Sequence, residues 1–194
     1  MAGTLKIDAA THDAVRGVMT CAPDFLVMGM SAVTFYGGAE GSGRWSKAIE
    51  ELAGVRLCTG AQSLIAAFQA YGGIRRIALL SPYYPVANRE VANFMGDHGI
   101  TVVRDIPLRC PSWTAIAEVP SSRLREAVLA LDGDDVDAIV QVGTNLSMIR
   151  FAAAAEMFLA KPVIAINTAT YWNALRMNGI TDRKEGFGRL MSHF

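Results

Sequence analysis

Short, nearly continuous apolar runs recur along the chain, each followed by a stretch with helical spacing. The runs predict strands at Phe25–Gly29, Val55–Cys58, Ile77–Leu80, Thr101–Val103, Ala138–Val142 and Val163–Ile166. Between them the apolar positions recur every three to four residues. That spacing predicts helices over Ala10–Thr20, Arg44–Leu52, Ala61–Tyr71, Ala87–His98, Ser122–Leu131, Ser147–Leu159 and Thr170–Asn178. Strands apolar on both faces belong in the middle of a layered structure. Strict strand–helix alternation then implies an α/β fold, a parallel sheet with helices on both faces. Gly72-Gly73 ends one helix and opens the next strand, which suggests a lobe boundary. The expected architecture is two similar, pseudo-symmetric flavodoxin-like lobes, 1–72 with 167–194 and 73–166, facing each other across a ligand cleft. Pro107, Pro111 and Pro120 mark a less regular stretch suited to covering that cleft.

In open α/β sheets, ligands bind beyond the carboxyl ends of the strands. Four segments fall there: Gly29-Met30-Ser31-Ala32, Ser81-Pro82-Tyr83-Tyr84, Gly143-Thr144-Asn145 and Asn167-Thr168-Ala169-Thr170. Any one of them alone reads most simply as a helix cap, the commonest work of Ser, Thr and Asn at such places. Four together point to a pocket of hydroxyls and backbone N–H groups for an anion, a carboxylate or a phosphate.

Composition narrows the choice. The 194 residues are 52% hydrophobic, enough for a real core. Lys+Arg and Asp+Glu both number 18, so no electrostatic pull toward nucleic acid or a membrane surface is expected. No apolar run approaches the roughly 20 residues that span a bilayer. The first residues lack the basic-then-apolar order of a secretory signal. Cys21, Cys58 and Cys110 are an odd set without paired spacing, which argues for a reducing compartment, with the cytoplasm expected. Three scattered histidines and no Cys-x-x-Cys argue against a metal site. The glycine-rich stretch from Gly37 to Gly43 lacks the Lys-Ser/Thr ending of a phosphate-binding loop, and reads as a mobile loop over the pocket.

On these residues the chain resembles the aspartate/glutamate racemase superfamily, in its arylmalonate decarboxylase and maleate isomerase branch. Gly29-Met30-Ser31-Ala32 followed by Phe35-Tyr36-Gly37-Gly38 resembles the decarboxylases' first catalytic loop. Arg75-Arg76-Ile77-Ala78-Leu79, then Ser81-Pro82-Tyr83-Tyr84 and Asn88, resembles the opening of the second lobe. Val142-Gly143-Thr144-Asn145-Leu146 resembles the isomerases' second catalytic loop. The most specific match is the tail: Tyr171-Trp172-Asn173-Ala174-Leu175-Arg176, then Gly186-Phe187-Gly188-Arg189-Leu190.

The resemblance implies a cofactor-independent enzyme working on the carbon next to the carboxylate of a small organic acid. By position, Ser31 and Tyr83 would hold the carboxylate, Thr144 and Asn145 with their amides would complete an oxyanion hole, and Asn88 would be a further contact. The family's two cysteines would fall at Met30 and Gly143, and neither residue can move a proton. Ala32 also lacks the family's second hydroxyl. Tyr83 is then the candidate proton donor. Cys58 and Cys21 read as small packing residues, Cys110 as the least implausible thiol, and Tyr36 and Tyr84 as packing. Set against the family pattern, the resemblance implies that the first lobe lacks its N-terminal strand, and a homo-oligomer stays open. The alternatives are a non-catalytic carboxylate binder on the same scaffold, or an unrelated flavodoxin-like module for a phosphorylated ligand. Arg44, Arg104 and Arg109 are candidates to select a second carboxylate, with surface solvation as their simpler role.

Overall fold

The computed structural model describes residues 2–194, with side chains from residue 10 onward. Two parallel sheets organise it. The smaller pairs β1 (Phe25–Val27) with β2 (Arg56–Cys58). The larger has the order β4 (Thr101–Pro107), β3 (Arg76–Ser81), β5 (Ala138–Gln141), β6 (Val163–Ala165), all parallel. All six expected strands form.

β3 shows why its run is apolar throughout. Ile77 and Leu79 enter one core with Leu64, Phe68, Val91 and Phe94, while Ala78 and Leu80 enter another with Leu124, Val128 and Ala152. Successive side chains of a strand point to opposite faces, so a strand covered on both sides alternates between two cores rather than between core and water. The covering helices on one face are α3 (Gly60–Ala70) and α4 (Pro85–Asp97). On the other lie α6 (Ser121–Leu131) and α7 (Ile149–Leu159). The first core also takes in Phe35, whose ring meets that of Phe94 edge-on at 5.3 Å. It therefore runs without a break from the neighbourhood of the small sheet to the large one.

Chain entry is through α1 (Ala2–Met19), which packs on α2 (Gly38–Ala53). The glycine-rich stretch expected to be a mobile loop is the start of α2 instead. Gly37 takes a left-handed conformation (φ +75°), and a Cβ on Gly41 would stand 2.6 Å from the Tyr36 carbonyl oxygen. The free N–H groups of the first turn are met from α4: Glu90 accepts from Gly37 N and Asp97 from Ala39 N, at 3.3 and 2.8 Å. The glycines let the two helices close on each other.

A second correction concerns Asn167-Thr168-Ala169-Thr170. β6 passes directly into α8 (Ile166–Met177), so these four residues are the helix's first turn and not a loop. α8 then packs on α3 and β2. The proline-flanked stretch carries a short helix, α5 (Trp113–Ala117), capped by Ser112, whose Oγ accepts from Ala115 N at 3.1 Å. The chain ends in α9 (Arg189–His193). Among the described residues, no helix is long and apolar enough to cross a membrane, and no group of His, Cys, Asp and Glu is placed to hold a metal ion.

Candidate active site

Three strand ends converge. Beyond β1 the chain reaches Ser31, then winds one 3-10 turn over Ala32–Phe35. Beyond β3 it reaches Pro82 and Tyr83, and beyond β5 Val142 and Gly143. Ser31 Oγ lies 3.1 Å from the Tyr83 phenolic oxygen and accepts a hydrogen bond from Gly143 N at 3.2 Å. Ser31 is 1% exposed, so its hydrogen bonds count for more than they would at the surface.

Each member is fixed by a neighbour. Thr34 Oγ1 donates to the Ser31 carbonyl at 2.7 Å and accepts from Ala61 N at 3.3 Å, tying the first loop to the start of α3. The amide of Gln141 donates to the carbonyls of Val142 and Gly143, at 2.6 and 2.8 Å. Asn167 donates to the Thr144 carbonyl at 2.8 Å. The sequence offered no sign of Thr34 or Gln141, since their partners are set by the folded loops.

Burial pushes the Tyr83 phenol above its ordinary range, and its contact with Ser31 offsets part of that rise. The neutral, proton-bearing form is therefore favoured. Beside Tyr83 opens an apolar cavity of about 300 Å³, walled by Ala32, Pro82, Tyr84, Val86, Cys110 and Trp113. The proline-flanked stretch thus forms one wall next to the cluster. Tyr84 and Tyr36, expected as packing residues, are 52% and 44% exposed.

The other expected site residues lie as follows. Thr144 is half-buried and Asn145 exposed, in the turn closed by Leu146 N on the Gly143 carbonyl. Met30 lines a different cavity, between α1 and the small sheet, with Val15, Leu26 and Ile49. Asn88 is buried but faces away from the cluster. Its Oδ1 accepts from Ser81 Oγ, and its Nδ2 donates to Asp105 at 2.6 Å. The arginines are elsewhere: Arg44 pairs with Glu40 on the surface, Arg104 holds Asp135 and the Leu131 carbonyl, and Arg109 is exposed.

None of the thiols touches Ser31. Cys21 is exposed, and Cys58 is enclosed at 3.2 Å from Ser63 Oγ. Cys110 is half-buried in the cavity wall. Burial raises both the Cys58 and Cys110 thiols. Hydrogen bonds from Ser63 and Asn173 partly oppose this for Cys58, and the charge of Arg123 does so for Cys110.

Known proteins share this arrangement of strands and loops. The structure of a double mutant of arylmalonate decarboxylase in its liganded form superposes with a TM-score of 0.92 at 22% identity, covering 100% of this chain and 83% of that one. The Nocardia farcinica maleate cis-trans isomerase, as a mutant with a covalently bound succinylcysteine intermediate, gives 0.93 at 22%, covering 100% and 81%. In sequence, arylmalonate decarboxylase from Bordetella bronchiseptica is 27% identical over 167 residues, 84% of this chain and 69% of that protein. Maleate isomerase from Geobacillus stearothermophilus is 26% identical over 121 residues, 62% of this chain; the match spans about half of the isomerase, 48%. The family model for arylmalonate decarboxylase matches residues 6–191, and the chain belongs to that family.

Proposed function

We propose that this protein is a cofactor-independent enzyme of the decarboxylase/isomerase type, acting at the carbon next to a carboxylate of a small organic acid. The observation that carries the proposal is the convergence of Ser31 Oγ, the Tyr83 phenol and Gly143 N within 3.1–3.2 Å at three strand ends. A carboxylate oxygen set against the two hydroxyls accepts from both, while the N–H of Gly143 donates to Ser31 Oγ and holds that hydroxyl in place. Donors fixed in a water-poor site stabilise charge that develops during reaction without having to reorganise. The apolar cavity beside Tyr83 suits a hydrocarbon substituent on the same carbon. In this reading, residues 1–72 with 167–194 form one lobe and 73–166 the other. Ser31 comes from the first, and Tyr83 and Gly143 from the second.

For a substituted malonate the steps balance simply. The bond to one carboxyl breaks, carbon dioxide leaves, and its electron pair remains as an enediolate on the other carboxylate, held by the hydroxyls of Ser31 and Tyr83. Tyr83 passes its phenolic proton to the α-carbon, and the phenolate is reprotonated from water. Met30 and Gly143 stand where the family places its cysteines in this reading. The trapped succinylcysteine of the Nocardia isomerase marks thiol chemistry in that relative, which this chain replaces with a phenol. Thr144 and Asn145 close the rim through their backbone.

The second reading is a carboxylate receptor without turnover. It is favoured by one fact: Met30 lines another cavity and Gly143 has no side chain, so neither position sets a thiol beside Ser31. Proton NMR in heavy water separates the two. Purified protein is given substituted malonates, maleate and monocarboxylic acids. Deuterium at the α-carbon or release of carbon dioxide establishes the enzyme. Saturable binding with neither overturns it in favour of the receptor.

A further inference from the structure

Asn88 and Asp105 stand outside the cluster of Ser31, Tyr83 and Gly143, yet they join it through a buried chain of hydrogen bonds. Asp105 lies on β4, opposite Leu79 of β3. Its Oδ2 accepts from Asn88 Nδ2 at 2.6 Å, Asn88 Oδ1 accepts from Ser81 Oγ, and Ser81 Oγ accepts from Tyr83 N at 3.1 Å. Ser81 is 0% exposed and Asn88 4%.

The direction of this chain is fixed by chemistry. An ionised carboxylate only accepts, so Asn88 turns its NH2 toward Asp105 and its carbonyl toward Ser81. The single hydroxyl proton of Ser81 then goes to Asn88, which leaves a lone pair for the Tyr83 N–H. With a carboxylate acceptor at its end, the chain runs in one direction.

The neighbouring backbone is held as firmly. Leu108 N donates to the Ser81 carbonyl, Cys110 N to that of Pro82, and Arg109 N to that of Tyr83, at 2.8 to 3.1 Å. Those three bonds use the carbonyls of 81–83, and the chain from Asp105 supplies, through Ser81 Oγ, the acceptor for the N–H of Tyr83. Pro82 has no N–H to give. The turn that aims the phenol at Ser31 is thus determined on both of its hydrogen-bonding sides.

We infer that Asn88, locked between Ser81 and Asp105, is a positioning residue that sets the backbone of Tyr83 and so aims its phenol at Ser31. It is not a substrate contact. The inference rests on the reading of Tyr83 as the working residue, and extends that site's machinery to a carboxylate on the outer edge of β4. Small displacements of a reacting group are costly: about 1 Å can take a hundredfold from the rate.

The test uses protein carrying ring-labelled tyrosine, with the Tyr83 resonance assigned by its loss in Tyr83→Phe. Asp105→Ala removes the acceptor, Asn88→Asp keeps the side-chain shape but deletes the donor, and Asp105→Asn keeps one acceptor oxygen. The expected result is a shifted or broadened Tyr83 resonance in the first two variants and a near-native one in Asp105→Asn. On a substrate found by the exchange assay, kcat falls about ten- to a hundredfold in Asp105→Ala while KM changes less than about threefold, and Asp105→Asn recovers most of the loss. An unmoved Tyr83 resonance in either folded variant overturns the inference. So does a loss confined to KM, which would return Asn88 to the substrate. The resonance is read without any substrate, so it decides the positioning role even if the protein turns nothing over.

Discussion

Pro82 and Gly143 interlock: a Cβ built on Gly143 would stand 2.5 Å from both Cγ and Cδ of the Pro82 ring. Gly143 also has φ +97°, a conformation that side chains resist. This close approach brings the end of β5 against the end of β3, with Gly143 N on Ser31 Oγ and the phenol of Tyr83 alongside. The glycine is therefore part of how this site is assembled, and the space a thiol at 143 would need is filled by proline.

Gly143→Ala is expected to destabilise the fold by about 1–3 kcal/mol, from overpacking and backbone strain together. Denaturant titration measures it. Gly143→Cys is expected to show the same loss and no gain in turnover, because the thiol arrives only by displacing Pro82. Stability equal to the parent in both variants would show that the ring yields freely.

Ser31→Ala removes one donor to the ligand and leaves Gly143 N–H without its acceptor. A hydrogen bond to a charged group is worth about 1.5–3 kcal/mol, so carboxylate affinity is expected to fall about ten- to a hundredfold by calorimetry. Retained affinity would sink the pocket itself. Tyr83→Phe keeps the ring in place and removes the proton; turnover is expected to fall by a factor of about 100 to 10,000 with the fold intact.

Much of this fold is legible in the sequence, for a definite reason. Ile77 to Leu80 are apolar at every position because both faces of β3 are covered, and a run of that kind stands out without any partner being known. Ser31, Tyr83 and Gly143 stand in segments that the sequence sets just past strand ends, and the fold brings them together. The start of α2 is not legible. Glycine is a poor helix former, and what holds Gly37 to Ala39 in place is Glu90 and Asp97, more than fifty residues away in sequence. Asn167 and Thr170 look like loop residues, but β6 gives way to α8 with no loop between, and Thr170 Oγ1 turns back to the Ile166 carbonyl at 2.8 Å. The resemblance offers Asn88 as a further contact, with a cap or bridge on its helix as the simpler role. Neither reveals that its amide is already taken by Ser81 and Asp105.

The raised Tyr83 phenol gives a direction in pH. Its proton is held in the folded site beyond the ordinary phenol value of 10.0, so a mechanism that uses it keeps its acid through neutral and mildly alkaline solution. The alkaline limb of turnover is expected above pH 10, and a limb below 9 would assign the step to another group. Stability carries the same sign. A group whose folded value is raised helps the fold fully below its unfolded value, and that help is lost as pH climbs toward the folded one. Tyr71, raised by burial and by its bond to Glu156, adds in the same direction. Resistance to denaturant is expected to drop as pH rises above 10, and to drop less in Tyr83→Phe.

Thiol reactivity separates a phenol from a sulfur donor. Thiolates, not thiols, react with alkylating agents, and burial of Cys58 and Cys110 disfavours the thiolate at both. Under native conditions at neutral pH, exposed Cys21 is expected to be labelled first. Cys110 should follow slowly through the cavity beside Tyr83, and Cys58 only when the protein unfolds. A carboxylate bound at Ser31 with its substituent in that cavity should slow labelling of Cys110 and leave Cys21 unaffected. Cys110→Ala is then expected to keep turnover within about threefold, since it removes only part of an apolar wall. A loss as deep as that of Tyr83→Phe would move the proton donor to Cys110, and fast labelling of Cys110 ahead of Cys21 would point the same way. Slow labelling with intact turnover leaves Tyr83 as the acid, because Cys58 has no access to the ligand and Cys21 lies on the surface.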